Sequence, residues 1–164
     1  MTRQSPSGST SYSTVSAKND LRARGVILVD TSGLLAALVS DQRAHAAAAR
    51  TLRDAEGPFV ISPFVLAELD YLVSKLAGPE AALALLDEVA RGAYRLAEFS
   101  AGNVGQARRV MAQYVDLGIG LADASIVVLA HALGTRDILT LDERHFRALR
   151  GPQEQSFRLL PRDA

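Results

Sequence analysis

Three short apolar runs, Val26-Ile27-Leu28-Val29, Phe59-Val60-Ile61 and Ile138-Leu139-Thr140-Leu141, are separated by long stretches in which apolar residues return every three or four positions. Runs this short, with almost no polar alternation, suit strands buried on both faces, and the stretches between them read as amphipathic helices. A chain that alternates such strands and helices folds as an α/β protein. The expectation is a three-layer architecture with a largely parallel central sheet and right-handed crossovers.

Glycine and proline punctuate the pattern. The first strand, Val26 to Val29, leads through the candidate caps Thr31 and Ser32 into a helix with Leu34, Leu35 and Leu38 as its packing face. Asp41 is expected to begin an alanine-rich second helix running through Ala55, closed by Gly57-Pro58. After the strand Phe59 to Ile61, Pro63 starts a helix whose stripe is Val65, Leu69, Leu72 and Leu76. Helices over 80–91, 102–115 and 121–133 follow, with a strand at Tyr94 to Ala97 between the first two and another at Asp137 to Leu139 after the third. A turn or short helix over 142–149 leads to a last strand, Phe157 to Leu160.

The length of 164 residues suits one folded domain, placed at 25–164 and preceded by a flexible arm rich in Ser and Thr over 1–24. The formal net charge of zero conceals a division: Arg3, Lys18, Arg22 and Arg24 against Asp20 give the arm a net of plus three, so the remainder stands at minus three. The chain has no cysteine, which excludes disulfides, thiolate metal sites and cysteine nucleophiles and agrees with a cytoplasmic location. No apolar run approaches the roughly 20 residues of a membrane span, so no membrane association is expected.

The acids are placed more informatively than their number suggests. In an open parallel sheet, functional groups gather beyond the carboxyl ends of the strands. Asp30 stands at such an end after the first apolar run, and Asp142 repeats the arrangement after Leu139-Thr140-Leu141. Asp123 falls in the first turn of a very apolar helix, where the positive helix end favours a carboxylate. Glu68 adjoins the Val65 and Leu69 stripe, so its stem is expected to be partly buried and its charge to need compensation, whereas Asp70 reads as surface. Asp116, before Gly118-Ile119-Gly120, reads equally as an auxiliary acid or as a soluble loop residue. Together Asp30, Glu68, Asp123 and Asp142 suit a hard cation, Mg²⁺ or Mn²⁺. Thr31, Ser32, Ser125 and Thr140 are candidate groups for fixing those acids. His45, His131 and His145 form no HExxH pattern and read as packing or surface residues, and neither GxGxxG nor GxxxxGK[ST] is present.

The segments Val26-Ile-Leu-Val-Asp30-Thr-Ser, Ala67-Glu68-Leu, Leu121-Ala-Asp123-Ala-Ser and Leu139-Thr-Leu-Asp142-Glu-Arg-His-Phe146, in that order and spacing, resemble the PIN-domain ribonucleases, most closely the VapC-type toxins of type II toxin-antitoxin systems. The resemblance spans about Val26 to Leu160. It implies a metal-dependent endoribonuclease using Mg²⁺ or Mn²⁺, with Asp30, Glu68 and Asp123 as the principal acids, Asp142 as the additional acid and Asp116 at the margin. It also implies a homodimer and inhibition by a cognate VapB-type antitoxin. RNA would meet this acidic centre along arginines, for which Arg43, Arg50 and Arg53, the pair Arg108-Arg109, and Arg144, Arg147 and Arg150 are candidates. Leu34, Leu35, Leu38 and Ala46 to Ala49 are candidates for an antitoxin groove, and Leu83 and Leu86 for self-association. The alternatives are a metal-dependent DNA nuclease or phosphatase, though Asp30-Thr31-Ser32 lacks the DxD pattern of aspartyl phosphatases, and a noncatalytic PIN-like interaction domain with scattered acids.

Overall fold

The computed structural model describes residues 25–164; the expected arm over 1–24 lies outside them. Five parallel strands form one sheet: β1 (Ile27–Val29), β2 (Phe59–Ile61), β3 (Arg95–Leu96), β4 (Asp137–Leu139) and β5 (Arg158–Leu160), in the spatial order β3-β2-β1-β4-β5. The helices are α1 (Thr31–Leu38), α2 (His45–Asp54), α3 (Pro63–Ala77), α4 (Pro79–Ala90), α5 (Ala101–Gln113), α6 (Leu121–Leu133) and α7 (Glu143–Ala148), with short 3₁₀ turns at Val115–Leu117 and Pro152–Glu154. From β1 the chain steps outward to β2 and β3, then returns across the sheet to β4 and β5. With right-handed crossovers, that reversal puts α1 to α4 on one face and α5 to α7 on the other.

The central strand shows why the apolar runs are continuous. No residue from Val26 to Val29 is more than 5% exposed, because β1 has a hydrogen-bonded neighbour on each edge and helices over each face. Register then decides where the chemistry sits. Val29 pairs with both Ile61 and Leu139, and Leu139 pairs with Leu160, so β1, β2, β4 and β5 end level. The next residues, Asp30, Ser62 and Thr140, therefore emerge along one edge of the sheet.

Several local expectations are corrected. The second helix begins at His45, not Asp41, which lies in a turn. The turn is closed by Gln42 N–H donating to Val39 O and His45 N–H to Gln42 O, and the His45 ring pins it to Ala36 O at 3.0 Å. The cap of α1 is Asp30 and not Thr31 or Ser32, since Asp30 accepts from the Ser32 backbone N–H. The buried stripe of α3 is Val65, Leu69 and Val73, a strict i, i+4 series, while Leu76 is 56% exposed. The helix expected over 102–115 is α5, which starts at Ala101 behind a capping box between Ser100 and Asn103.

One glycine is required by close approach. A Cβ on Gly33 would lie 2.4 Å from Leu139 O, a backbone atom that cannot swing aside, so α1 can start flush against the end of β4 only with glycine there.

Candidate metal centre

The described residues contain five buried polar or charged side chains: Asp30, Thr31, Ser62, Ser125 and Thr140. All belong to the carboxyl edge of the sheet or to the helix packed beside it. Buried polar groups are retained where they are satisfied, and the satisfaction here is shared. Asp30 is 5% exposed, and its Oδ2 accepts from Ser32 Oγ at 2.5 Å, Thr140 Oγ1 at 2.7 Å and Ser32 N–H at 3.3 Å. Ser32 Oγ in turn accepts from Leu141 N–H, and Thr140 Oγ1 from Asp142 N–H, both at 2.9 Å. The end of β1 is thus stitched to the loop that carries Asp142.

Each acid also has a local reason to be where it is. Asp142 caps α7, with Oδ1 accepting from His145 N–H at 3.0 Å. Asp123 sits in the first turn of α6, where Oδ2 accepts from Gly120 N–H at 3.0 Å. Glu68 Oε2 accepts from Thr31 Oγ1 at 2.7 Å. The stem of Glu68 is not partly buried as expected: the residue is exposed, because the buried stripe of α3 passes one position away at Leu69, and Asp70 is the more shielded of the two. Ser125 Oγ donates to Ser62 Oγ and Ala122 O at 2.6 Å each, and its hydroxyl bonds to none of the four acids.

Asp123 is the centre of the charge distribution. Its side chain is 18% exposed, and its field couples to Asp30, Glu68 and Asp142. Burial above all raises the Asp123 pKa, offset by the Gly120 N–H and the His145 ring and reinforced by the charges of Asp142 and Glu68. Asp30 is likewise pushed up, first by burial and further by Asp123, against the lowering effect of the Ser32 and Thr140 hydroxyls. Among the described residues, no lysine or arginine forms an ion pair with Asp30, Glu68, Asp123 or Asp142. Asp116 is exposed in the 3₁₀ turn Val115–Leu117, and among the described residues no hydrogen bond or ion pair ties its side chain to the group.

The residue the sequence reading missed is His145. It sits within the acid group, with Nδ1 2.8 Å from Asp142 Oδ2 and 3.7 Å from Asp123 Oδ2. Neither approach lies along a hydrogen-bond direction, and the buried Nδ1 has no hydrogen-bond partner. Asp123, Asp142 and His145 each offer a ligand atom within 4.8 Å of the others. The available signal was the Asp-x-x-His spacing at a helix start, which returns the ring to the cap; a search for paired histidines passes over it. A donor set of carboxylates without lysine or arginine partners, and a ring nitrogen without a hydrogen bond, is suited to a divalent cation.

The surroundings redistribute the candidate arginines. Arg147 is tied to Asp163 at 2.6 Å and 2.7 Å, and Arg150 caps the carbonyls at the end of α7. Arg50 and Arg158 line a cavity of 1060 Å³ that reaches Gly25, Gly57 and Asp137 at the opposite edge of the sheet, away from the acids. Arg144 is exposed on α7, next to His145 in the chain.

A family model described as PIN domain matches residues 27–152. Ribonuclease VapC26 of Mycobacterium tuberculosis is 45% identical over 135 residues, covering 82% of this chain and all of that protein. The crystal structure of Mycobacterium tuberculosis VapC20, a sarcin-ricin loop cleaving toxin, superposes with a TM-score of 0.67 at 22% identity, covering 71% of this chain and 90% of that one. That second likeness is one of fold.

Proposed function

This chain belongs to the PIN-domain family, and on that premise we propose that it is a divalent-metal-dependent endoribonuclease of the VapC type, with residues 25–164 as its PIN domain. The observation that carries the reading is the gathering of Asp30, Glu68, Asp123 and Asp142 at one edge of the sheet with no arginine or lysine to neutralise them. Mg²⁺ or Mn²⁺ bound there would supply Lewis acidity toward a phosphodiester and a water of lowered pKa.

The chain's own residues do the positioning. Asp123 and Asp142 present carboxylates to the cation; Asp30, fixed by Ser32 and Thr140 through Oδ2, presents its other oxygen. Glu68, held through Oε2 by Thr31, is exposed and so can orient a water or meet the RNA side of the site. Asp116 is left without a role. The exposed arginines nearest in sequence to the acids, Arg144 foremost, are the groups for RNA phosphates.

Partner surfaces follow from exposure. Leu34 and Ala48 are fully buried and cannot line an antitoxin groove as expected, which leaves Leu35, Leu38 (42% exposed), Ala46, Ala47 and Ala49 as its apolar contacts. Tyr71, Leu76, Leu83 and Leu86 on the α3 and α4 hairpin are exposed apolar groups suited to self-association. Among the described residues no helix is long and apolar enough to cross a membrane.

The test is cleavage of structured and single-stranded RNA, with DNA of the same sequence as control, with Mg²⁺, with Mn²⁺ and with a chelator. Wild type should cut RNA only with metal, and Asp30→Asn and Asp123→Asn, verified as folded, should not. Cleavage in the chelator, or full activity in both variants, sinks the reading. New RNA termini in cells expressing the wild type but not Asp123→Asn would name the target.

A further inference from the structure

We infer that His145 is a metal ligand through Nδ1, making the ion shared by Asp123 and Asp142 a mixed oxygen and nitrogen centre that prefers Mn²⁺ to Mg²⁺. The inference rests on the metal-dependent reading above and specifies which ion the site selects.

Nδ1 lies close enough to both carboxylates to pair with them when the ring is protonated, but no hydrogen bond occupies it. The atom is buried and faces two carboxylate oxygens, yet it hydrogen-bonds to neither. Neighbouring ligands at right angles on an ion with bonds of about 2.1 Å lie about 3.0 Å apart, and tetrahedral neighbours about 3.4 Å apart. The observed separations from Nδ1, 2.8 Å to Asp142 and 3.7 Å to Asp123, bracket those values. The ring is also fixed in place. His145 N–H donates to Asp142 Oδ1, the adjacent Phe146 is fully buried against Phe157, and Arg150 closes the end of α7.

The metal preference follows from donor chemistry. Imidazole nitrogen is a ligand for first-row transition ions, Mn²⁺ being the weakest-binding of the series, whereas Mg²⁺ takes oxygen ligands and gives up water reluctantly. An all-carboxylate centre would not discriminate in this way. The other histidines are elsewhere: the His45 ring is bonded to Ala36 O, and His131 is exposed on α6.

The test uses the full chain loaded with Mn²⁺. Pulsed electron paramagnetic resonance should show a ¹⁴N coupling in the wild type that is absent in His145→Asn. Calorimetry should show Mn²⁺ binding weakened about tenfold or more in that variant, with Mg²⁺ binding changed by less than about threefold. An amide oxygen from asparagine replaces nitrogen with a donor that Mg²⁺ accepts. Mn²⁺ bound without ¹⁴N coupling, or with equal affinity in both proteins, overturns the ligand assignment and leaves the metal centre standing. Failure of the wild type to bind Mn²⁺ or Mg²⁺ at all overturns the reading beneath it as well. A circular dichroism melt within a few degrees of wild type separates ligand loss from unfolding.

Discussion

At the carboxyl edge of the sheet, Asp30 and Asp123 are held by hydroxyls and backbone N–H groups. At the amino edge, Asp137 is clamped by two nitrogens of Arg158, at 2.5 Å and 2.8 Å, and beyond β5 Asp163 is gripped by both terminal nitrogens of Arg147. The electrostatic consequences are opposite. Burial and neighbouring acids raise Asp30 and Asp123, whereas the Arg147 guanidinium and the Leu159 N–H lower Asp163 to about 2. The chain places arginines on Asp137 and Asp163, where the acids serve structure, and none on the Asp30 and Asp123 group. Leaving a buried acid group uncompensated costs stability, and a cation is the compensation the first edge lacks.

The largest effect should come from comparing substitutions in the acid group with substitutions at the arginine-paired acids. Asp30→Asn or Asp123→Asn is expected to lower RNA cleavage by about 10³-fold or more, roughly 4 kcal/mol of transition-state stabilisation, while Asp137→Asn or Asp163→Asn leaves the rate within about threefold. Equal losses in both sets of acids, measured by single-turnover kinetics, would erase the distinction. Next in size is Gly33→Ala, whose methyl group would press on the backbone at Leu139. It should destabilise by about 1–3 kcal/mol in denaturant unfolding and disturb the Ser32 and Thr140 contacts to Asp30; an unchanged midpoint would mean that α1 and β4 are free to part.

Smaller still is Thr140→Val, which removes a donor to Asp30 and an acceptor for Asp142 N–H. A cost of about 1 kcal/mol and a partial loss of cleavage are expected; loss of stability with full activity would reduce Thr140 to a turn residue. The gentlest probe is pH on the metal-free protein. The raised acids bind protons in the folded state first, so their protonation favours folding fully below the ordinary 3.8 and that contribution is lost as pH rises through their higher folded values. Asp163 runs the other way: its contribution is present above 3.8 and lost as pH falls through about 2. Asp30→Asn should therefore be neutral or stabilising near pH 7 and lose that advantage in acid, while Asp163→Asn is destabilising near pH 7 and converges with wild type near pH 2. Matching pH profiles would contradict the contrast.

Much of this was legible in the residues. The unbroken apolar runs Val26 to Val29 and Phe59 to Ile61 announce interior parallel strands because burial on both faces removes the need for polar alternation. Asp30 and Asp142 were legible as strand-end acids for the same reason. What escaped the reading depends on contacts that no spacing encodes. Asp41 looked like a cap, but the His45 ring bonded to Ala36 sets the helix start instead. Glu68 looked half-buried because it adjoins the stripe of Val65, Leu69 and Leu72, and only the pitch of α3 against its neighbours shows that Val73, not Leu72, continues the stripe. His145 was dismissed for want of a second histidine, although its partners are the two aspartates.

The central claim is that the carboxyl edge is left uncompensated because a divalent ion completes it. The direct measurement is the unfolding free energy with and without Mn²⁺, for wild type and Asp123→Asn. At about 100 times its Kd the ion should stabilise wild type by roughly 2.7 kcal/mol, a rise of several degrees in Tm, and leave Asp123→Asn at its metal-free value. The same small response in both proteins would contradict the account.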